Sequence, residues 1–274
     1  MAQISANLVK QLREMTGLGM MECKKALAEA AGDLQKAEEL LRIKGGARAK
    51  LAGREAGEGA VAAYVAPDAK LGALVEVNCE TDFVARNDDF RAFAGWLAGF
   101  VASSNPADLA TLAAAGEVEQ RLQALVQKIK ENISVRRFAR LQAQSRLAQY
   151  VHGGRIGVLV DYEGADDAGK DLAMHISFAR PVYLAKAEVP AEIVAREREI
   201  LAARARDSGK PAEIVAKMVE GGLNKFFGEI TLLGQPFVKD DKQTVEKMLA
   251  SRSARVLGYR ILVLSEGIEK KKAA

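Results

Sequence analysis

The sequence is poor in the residues that catalysis and covalent cross-linking draw on. It has two cysteines, Cys23 and Cys79, two histidines, His152 and His175, and one tryptophan among 274 residues. The cysteines form no CxxC pair and no disulfide framework, which suits a reducing compartment. No His/Cys cluster has metal-ligand spacing, so neither a metal nor another cofactor is expected. GxxxxGK[ST] is absent, which excludes a P-loop nucleotide cradle. No paired carboxylates stand out in a cleft-forming motif, so an enzyme is not expected. Cys79 alternates with Val75 and Val77, a pattern of burial rather than of an activated thiolate. Long hydrophobic runs are missing too. The longest uncharged stretch, 92–107, is too short for a bilayer and ends in Ser-Ser-Asn-Pro. The opening MAQISANLVKQL has no signal-type apolar core, so a cytoplasmic protein with no membrane partner is expected. No single sign of charge dominates: 40 Lys+Arg against 36 Asp+Glu give +4. A dedicated nucleic-acid binder shows a more concentrated positive footprint, so no nucleic-acid partner is expected.

What is present points to an α+β protein. With 49% hydrophobic residues the chain has material for a real core and for about two domains. Residues 1–44 read as three short helices. Ser5 caps the first, with Ile4, Leu8, Leu12 and Met15 inward and Gly17 ending it. The second carries Met20, Cys23, Leu27 and Ala30 and closes at Gly32. Asp33 caps the third, with Leu34, Ala37, Leu40 and Leu41 inward. From Lys44 to Gly59, five glycines among Arg48, Lys50, Arg54 and Glu55 read as a mobile linker.

A repeat organises the rest. Val61-Ala-Ala-Tyr64-Val65, a loop and Leu71-Gly72-Ala-Leu-Val-Glu76 parallel Leu147-Ala-Gln-Tyr150-Val151, a loop and Ile156-Gly157-Val-Leu-Val-Asp161. Each copy reads as a β-hairpin feeding an amphipathic helix. In the second copy that helix holds His175, read as a packing residue, and stops at Pro181. Glu117–Glu131 reads as helix and Ile133–Ala143 as extended. Pro190-Ala-Glu-Ile-Val-Ala195 recurs as Pro211-Ala-Glu-Ile-Val-Ala216, so two helices joined at Ser208-Gly209-Lys210 form an antiparallel hairpin. Its inward faces are read as Ile193, Ile200 and Leu201 against Ile214, Met218 and Val219, and it offers a surface for self-association. Thr244 caps a short helix, Ala254–Leu264 is a returning strand, and 269–274 is a basic tail. The expected domains are a helical bundle with the start of a linker (1–52), a core subdomain N (53–143), and a core subdomain C (144–274) with the helical hairpin at 190–227.

One stretch stands apart. Asn78-Cys79-Glu80-Thr81-Asp82-Phe83-Val84-Ala85-Arg86-Asn87-Asp88 joins the strand of the first copy to an amphipathic helix with Phe90, Phe93, Ala94, Leu97, Phe100 and Val101 on one face. Asn87 or Asp88 caps that helix. Thr81-Asp82-Phe83 is then a short connection held by two rigid elements. A phenylalanine there either folds back into the core or waits for a partner to bury it; the pattern alone leaves both open. The same holds for Met20 and Met21, which are either core or adaptable contact residues. In the second copy the matching loop is His152-Gly153-Gly154-Arg155, a tight turn that lifts His152 and Arg155 outward.

VNCETDFVARND at 77–88, MTGLGMMECKKAL at Met15–Leu27, HGGRIGVLV at His152–Val160 and SEGIEK at Ser265–Lys270 resemble bacterial elongation factor Ts in the expected order. The turn Met15-Thr16-Gly17-Leu18-Gly19 is also similar to that of ubiquitin-associated (UBA) domains, which implies a UBA-like N-terminal bundle. The resemblance implies a guanine-nucleotide exchange factor that binds elongation factor Tu, GDP-bound and nucleotide-free, during translation. It implies that Thr81, Asp82, Phe83 and Val84 intrude beside the Mg²⁺ of that GTPase, that Arg13, Met20 and Met21 anchor the small domain, and that His152 intrudes from the other subdomain. Two features depart from the family. The chain stops at Ala274, where many members continue into a further helix, and Ser177-Phe178-Ala179-Arg180-Pro181 is bulkier and more basic than usual. The runner-up function is an RNA-binding translation accessory protein using the linker lysines, Arg136, Arg137 and Arg140, though it lacks aromatic stacking platforms.

Overall fold

The computed structural model describes residues 4–16, 20–43, 51, 53–206 and 209–268. Three amphipathic helices come first: α1 (Ala6–Thr16), α2 (Met20–Glu29) and α3 (Leu34–Ile43). The Ser5 hydroxyl accepts from the Leu8 amide, and Asp33 accepts from the amides of Gln35 and Lys36, so free first-turn donors are satisfied. Val9, Leu12, Cys23, Ala26, Leu27, Ala30, Ala37 and Leu41 form their shared core. Met15, read as inward from spacing, is exposed instead, and Met20 and Met21, left open between core and contact, are exposed too. A bundle this small has room inside for one line of side chains per helix, and Leu12 and Cys23 occupy it. The expected Gly17 stop, the 15–19 turn beyond Thr16, most of the linker, Ser208 and the tail lie outside the described residues.

The remaining elements are β1 (Glu58–Val65), β2 (Leu71–Cys79), α4 (Asp82–Ala85), α5 (Asp88–Ser104), α6 (Leu109–Ala114), α7 (Gly116–Ile129), β3 (Ser134–Gln142), β4 (Arg146–His152), β5 (Ile156–Glu163), α8 (Asp166–Ala179), α9 (Ala191–Arg206), α10 (Ala212–Ile230), β6 (Pro236–Phe237), β7 (Asp240–Thr244), α11 (Val245–Ser251) and β8 (Arg255–Val263). The architecture is α+β. Two antiparallel three-stranded sheets have orders β1-β2-β3 and β4-β5-β8. Short α6 and the β6–β7 hairpin have no counterpart in the sequence reading, being too brief for periodicity to register. The downstream end of the expected linker packs on the fold: Leu51 joins the core of the first sheet, and the Arg54 carbonyl accepts from the Asn132 side chain.

Alternation along the strands builds four layers. Ala73, Val75, Val77 and Cys79 of β2 face α5 and α7, whose Phe90, Phe93, Leu97, Leu122 and Val126 cover them. Val158, Val160 and Tyr162 of β5 face α8 in the same way. The opposite faces of the two sheets meet at Val61, Leu74, Leu159, Leu262 and Leu264. Both central strands are therefore buried on both faces. A Cβ added to Gly157 would stand 2.6 Å from Val61, and one added to Gly72 would stand 2.9 Å from Leu147. These are matching positions of the repeat, so each sheet needs a glycine for the other to approach.

The repeats are related by reciprocal fastenings. The Val61 amide donates to the Gly154 carbonyl and Leu147 to Ala69; Leu264 donates to Arg155 and Ala143 to Lys70. Each hairpin turn thus grips the other copy at matching positions. A carboxylate completes each grip. Glu76 of β2 is fully buried and accepts from the Ser265 amide at 2.8 Å, while Arg136 and Arg137 donate to it at 3.0 and 2.5 Å. Asp161 of β5 accepts from the amides of Gln144 and Ser145. Strand pairing slips beside both acids, between Glu76 and Val77 and between Asp161 and Tyr162. Arg140 donates to the Ala102 carbonyl. The arginines that carried the RNA-binding alternative are thus occupied within the fold.

In the helical hairpin the seam keeps Leu201 and Val219 of the expected inward faces and turns away from the rest. Val194, Leu201, Ala202 and Ala205 meet Val215, Val219, Leu223 and Phe227, leaving Ile193, Ile200, Ile214 and Met218 exposed. Both stripes repeat at helical spacing, so periodicity does not choose between them. Gly222 decides in part, because Leu201 fills the place a side chain would take there. Pro190 and Pro211 stand one residue before their helices rather than in the first turn.

His175 on α8 is buried. Its Nδ1 accepts from the Val238 amide at 3.2 Å, so Nε2 carries the proton and donates to Gln235 Oε1 at 3.0 Å. Burial holds its pKa below the ordinary histidine value, the Gln235 hydrogen bond only partly opposing this. Nearby Asp171 is pushed up by burial, but Lys239 and Arg252 outweigh that and hold its carboxyl below the usual range.

Two outcomes follow from this packing. Glu76→Ala takes the buried acceptor from the Ser265 amide and weakens the hold on Arg136 and Arg137, which keep Glu266 and Val263, and is expected to cost about 3 kcal/mol in urea unfolding; a loss under about 0.5 kcal/mol contradicts the fastening role. For His175, the unfolded chain binds a proton below about pH 6.5 that the folded chain resists. Its contribution is fully present above that value and is lost as pH falls, so the urea midpoint should drop between pH 7.5 and 5.5. His175→Asn should flatten that slope; an unchanged slope would contradict the assignment.

Candidate partner-binding site

At the end of β2 the backbone turns without becoming a plain loop. Thr81 is extended (φ −122°, ψ 154°), its hydroxyl accepts from the Val84 amide, and Asp82–Ala85 closes a single helical turn, α4. Asn87 then caps α5, accepting from the amides of Asp89 and Phe90. The short connection expected between strand and helix is therefore itself helical, because Thr81 and Asn87 satisfy the free amides at both steps.

The turn is fastened from outside by residues that local pattern did not reveal. Glu131, past the end of α7, accepts from the amides of Glu80 and Thr81, each at 3.0 Å, and from the Thr81 hydroxyl at 2.7 Å. Glu80 in return accepts from the Asn132 amide at 2.7 Å, and Arg54 lies 3.4 Å from its carboxylate. The Cys79 thiol donates to the Thr81 carbonyl at 3.2 Å. Burial, with help from the Glu131 charge, pushes that thiol up to about 12, so it stays protonated and serves as a donor. Glu131 and Asn132 lie about 50 residues away along the chain, beyond the reach of any periodicity or capping signal.

On this footing Phe83 is 82% exposed. Val84 and Ala85 pack against the core beneath it. Asp82 pairs with Arg86 at 2.9 Å in the open, where such pairs are weak. The turn therefore presents one large ring and one exchangeable carboxylate.

Gly153 and Gly154, both at positive φ, close the β4–β5 turn, and His152 at its edge is exposed, its Nδ1 3.2 Å from the Tyr150 hydroxyl. Arg155 pairs with Glu58 at 3.1 Å. This turn and α4 form two walls of one cleft of about 530 Å³, with Asp82, Arg86 and Arg91 on one side and Gly153, Gly154 and Arg155 on the other. His152 itself lines a second hollow of about 510 Å³ with Met174, Phe178, Arg180 and Val238, where Phe178 is 76% exposed. Arg13, Met20 and Met21 are exposed on the three-helix bundle and line neither. Among the described residues no group of three or more His, Cys, Asp or Glu is placed to hold a metal ion. Nor is any described helix long and apolar enough to cross a membrane.

Comparison with known proteins gives this arrangement its context. The family model described as Elongation factor TS matches residues 80–266, from the fastened turn to the chain that caps Glu76. A protein of Nitrosospira multiformis named Elongation factor Ts is 59% identical over 281 residues, covering 99% of this chain and 93% of the relative. Its namesake in Bordetella petrii is 58% identical over 276 residues, covering 99% and 94%. Both relatives match over 99% of this chain, and the chain belongs to the elongation factor Ts family of translation elongation factors.

Proposed function

We propose that this chain promotes GDP release from elongation factor Tu by binding the nucleotide-free GTPase more tightly than the GDP-bound one. Linkage requires that whatever binds the empty form better must weaken GDP by the same factor. The observation that carries the reading is Phe83: a ring left in water on a turn whose base is tied down. Exposed aromatic area on a rigid support is what a partner's apolar crevice buries at low ordering cost.

Phe83 wedges into the GTPase and Val84 supports it from beneath. Asp82 gives up its solvent-screened contact with Arg86 and rearranges the surroundings of the partner's Mg²⁺. With that ion displaced, phosphate charge is less compensated and GDP leaves faster. Gly153 and Gly154 bring His152 to a second point of entry beside the shared cleft. Arg13, Met20 and Met21 anchor the bundle on the same partner. The boundaries at 52/53 and 143/144 divide this labour, the bundle holding and the two-sheet core acting. No covalent bond changes on either protein.

Phe83→Ala should leave urea stability within about 0.5 kcal/mol of the parent, where a buried phenylalanine would cost about 3–5 kcal/mol. Release of fluorescent GDP from elongation factor Tu should slow about tenfold or more. Asp82→Ala should slow it too, with a loss that depends more steeply on Mg²⁺ concentration. Normal release per folded Phe83→Ala molecule would end this mechanism.

A further inference from the structure

The exposed ring is only as well placed as the turn beneath it, and that turn is held by an acid outside the 78–88 stretch. We infer that Glu131 is a positioning residue for Phe83, acting through Thr81; the inference rests on the exchange reading above. Glu131 Oε2 takes both backbone amides at the base of the turn, and Oε1 takes the Thr81 hydroxyl proton at 2.7 Å. This fixes the polarity of the cap. With its proton committed to Glu131, the Thr81 oxygen presents a lone pair to the Val84 amide at 3.4 Å, and the amide of α4 next to Phe83 is satisfied.

The clamp is reciprocal. Lys130 ends α7 in the left-handed region at φ 63°, which swings Glu131 and Asn132 toward the end of β2. Glu80 then accepts from the Asn132 amide while Asn132 donates its side-chain amide to the Arg54 carbonyl. Each carboxylate holds the backbone of the other's segment, so the base of the turn is fixed against α7, and through α7 against the core. Hydrogen bonds to a charged acceptor are the stronger kind, and three converge on this one carboxylate. Glu131 has no role in the packing between the sheets. Its bonds are spent on the two residues from which Phe83 is cantilevered.

A loosened turn must be ordered at the moment the ring enters its crevice. The cost therefore falls on the maximal rate of release more than on the concentration needed to reach it. The test uses the full chain and fluorescent GDP bound to elongation factor Tu, with plateau rate, half-saturating concentration and urea midpoint measured together. Glu131→Ala is expected to lower the plateau about tenfold and leave the half-saturating concentration near that of the parent. Glu131→Gln, which keeps an acceptor for the two amides, should restore most of the rate. Thr81→Val, which removes the hydroxyl link and the cap on the Val84 amide but leaves both backbone amides on Glu131, should give a smaller loss than Glu131→Ala and serves as the working variant should the alanine chain not fold. In a Phe83→Ala background neither change should slow release further, because what they position is gone. Equal losses in that background, or losses that simply track the urea midpoint, overturn the positioning role. A slowed Phe83→Ala beside a parent-like Glu131→Ala overturns it alone. A parent-like Phe83→Ala overturns the exchange reading and this inference with it.

Discussion

A carboxylate buried between two sheets is tolerable only when donors surround it, and this fold is arranged around two of them. Glu76 and Asp161 occupy the same place in the two copies of the repeat, each on a central strand and each beside a slip in strand pairing. Each reaches across to the backbone that has just left the third strand of the other sheet, Ser265 in one case and Gln144 with Ser145 in the other. Removing water from such a group is expensive, and the penalty is offset only while both sheets are in place. The apolar contact at Leu74 and Leu159 draws the sheets together; the acids decide how they align. Apolar faces alone would tolerate sliding, whereas these hydrogen bonds do not.

The same logic continues outward to the surface. β2 runs from the sheet interface to the fastened turn, so the position of Phe83 is inherited from Glu76 through a strand buried on both faces. Past Cys79 the supports change from apolar burial to hydrogen bonds accepted by Glu131, Glu80 and the capping Thr81. The second copy uses the same frame differently. Where the first copy closes its hairpin on Ala69 in a left-handed conformation, the second uses Gly153 and Gly154, and the bare backbone places His152 at the rim of the turn. One pseudo-symmetric scaffold thus carries two different turns on the walls of a single cleft.

Much of this was legible in the sequence, and the reasons are specific. The hairpins and their helices were readable because a repeated pattern of alternation gives the same answer twice. The candidate turn stood out because a phenylalanine follows a carboxylate between a strand and a capped helix. Whether that ring was buried could not be read, since an aromatic at such a place packs or protrudes depending on the backbone turn beneath it. Thr81 supplied that turn with its side chain, making a helix of four residues too short to show a period. Glu131 was invisible because its function lies in contacts across some fifty positions. Glu76 and Asp161 stand at the ends of the repeated runs; only the packing of two sheets reveals that they are enclosed. The helical hairpin misled for a related reason, offering two apolar stripes of equal period and leaving Gly222 to choose between them.

The preference proposed for this chain is for its partner empty. It is tested most directly by titrating the full chain calorimetrically into elongation factor Tu, nucleotide-free and GDP-loaded, in the same Mg²⁺-containing buffer. The account predicts tighter binding to the nucleotide-free form, with GDP affinity lowered in the complex by the same factor. Equal affinity for the two forms would contradict it.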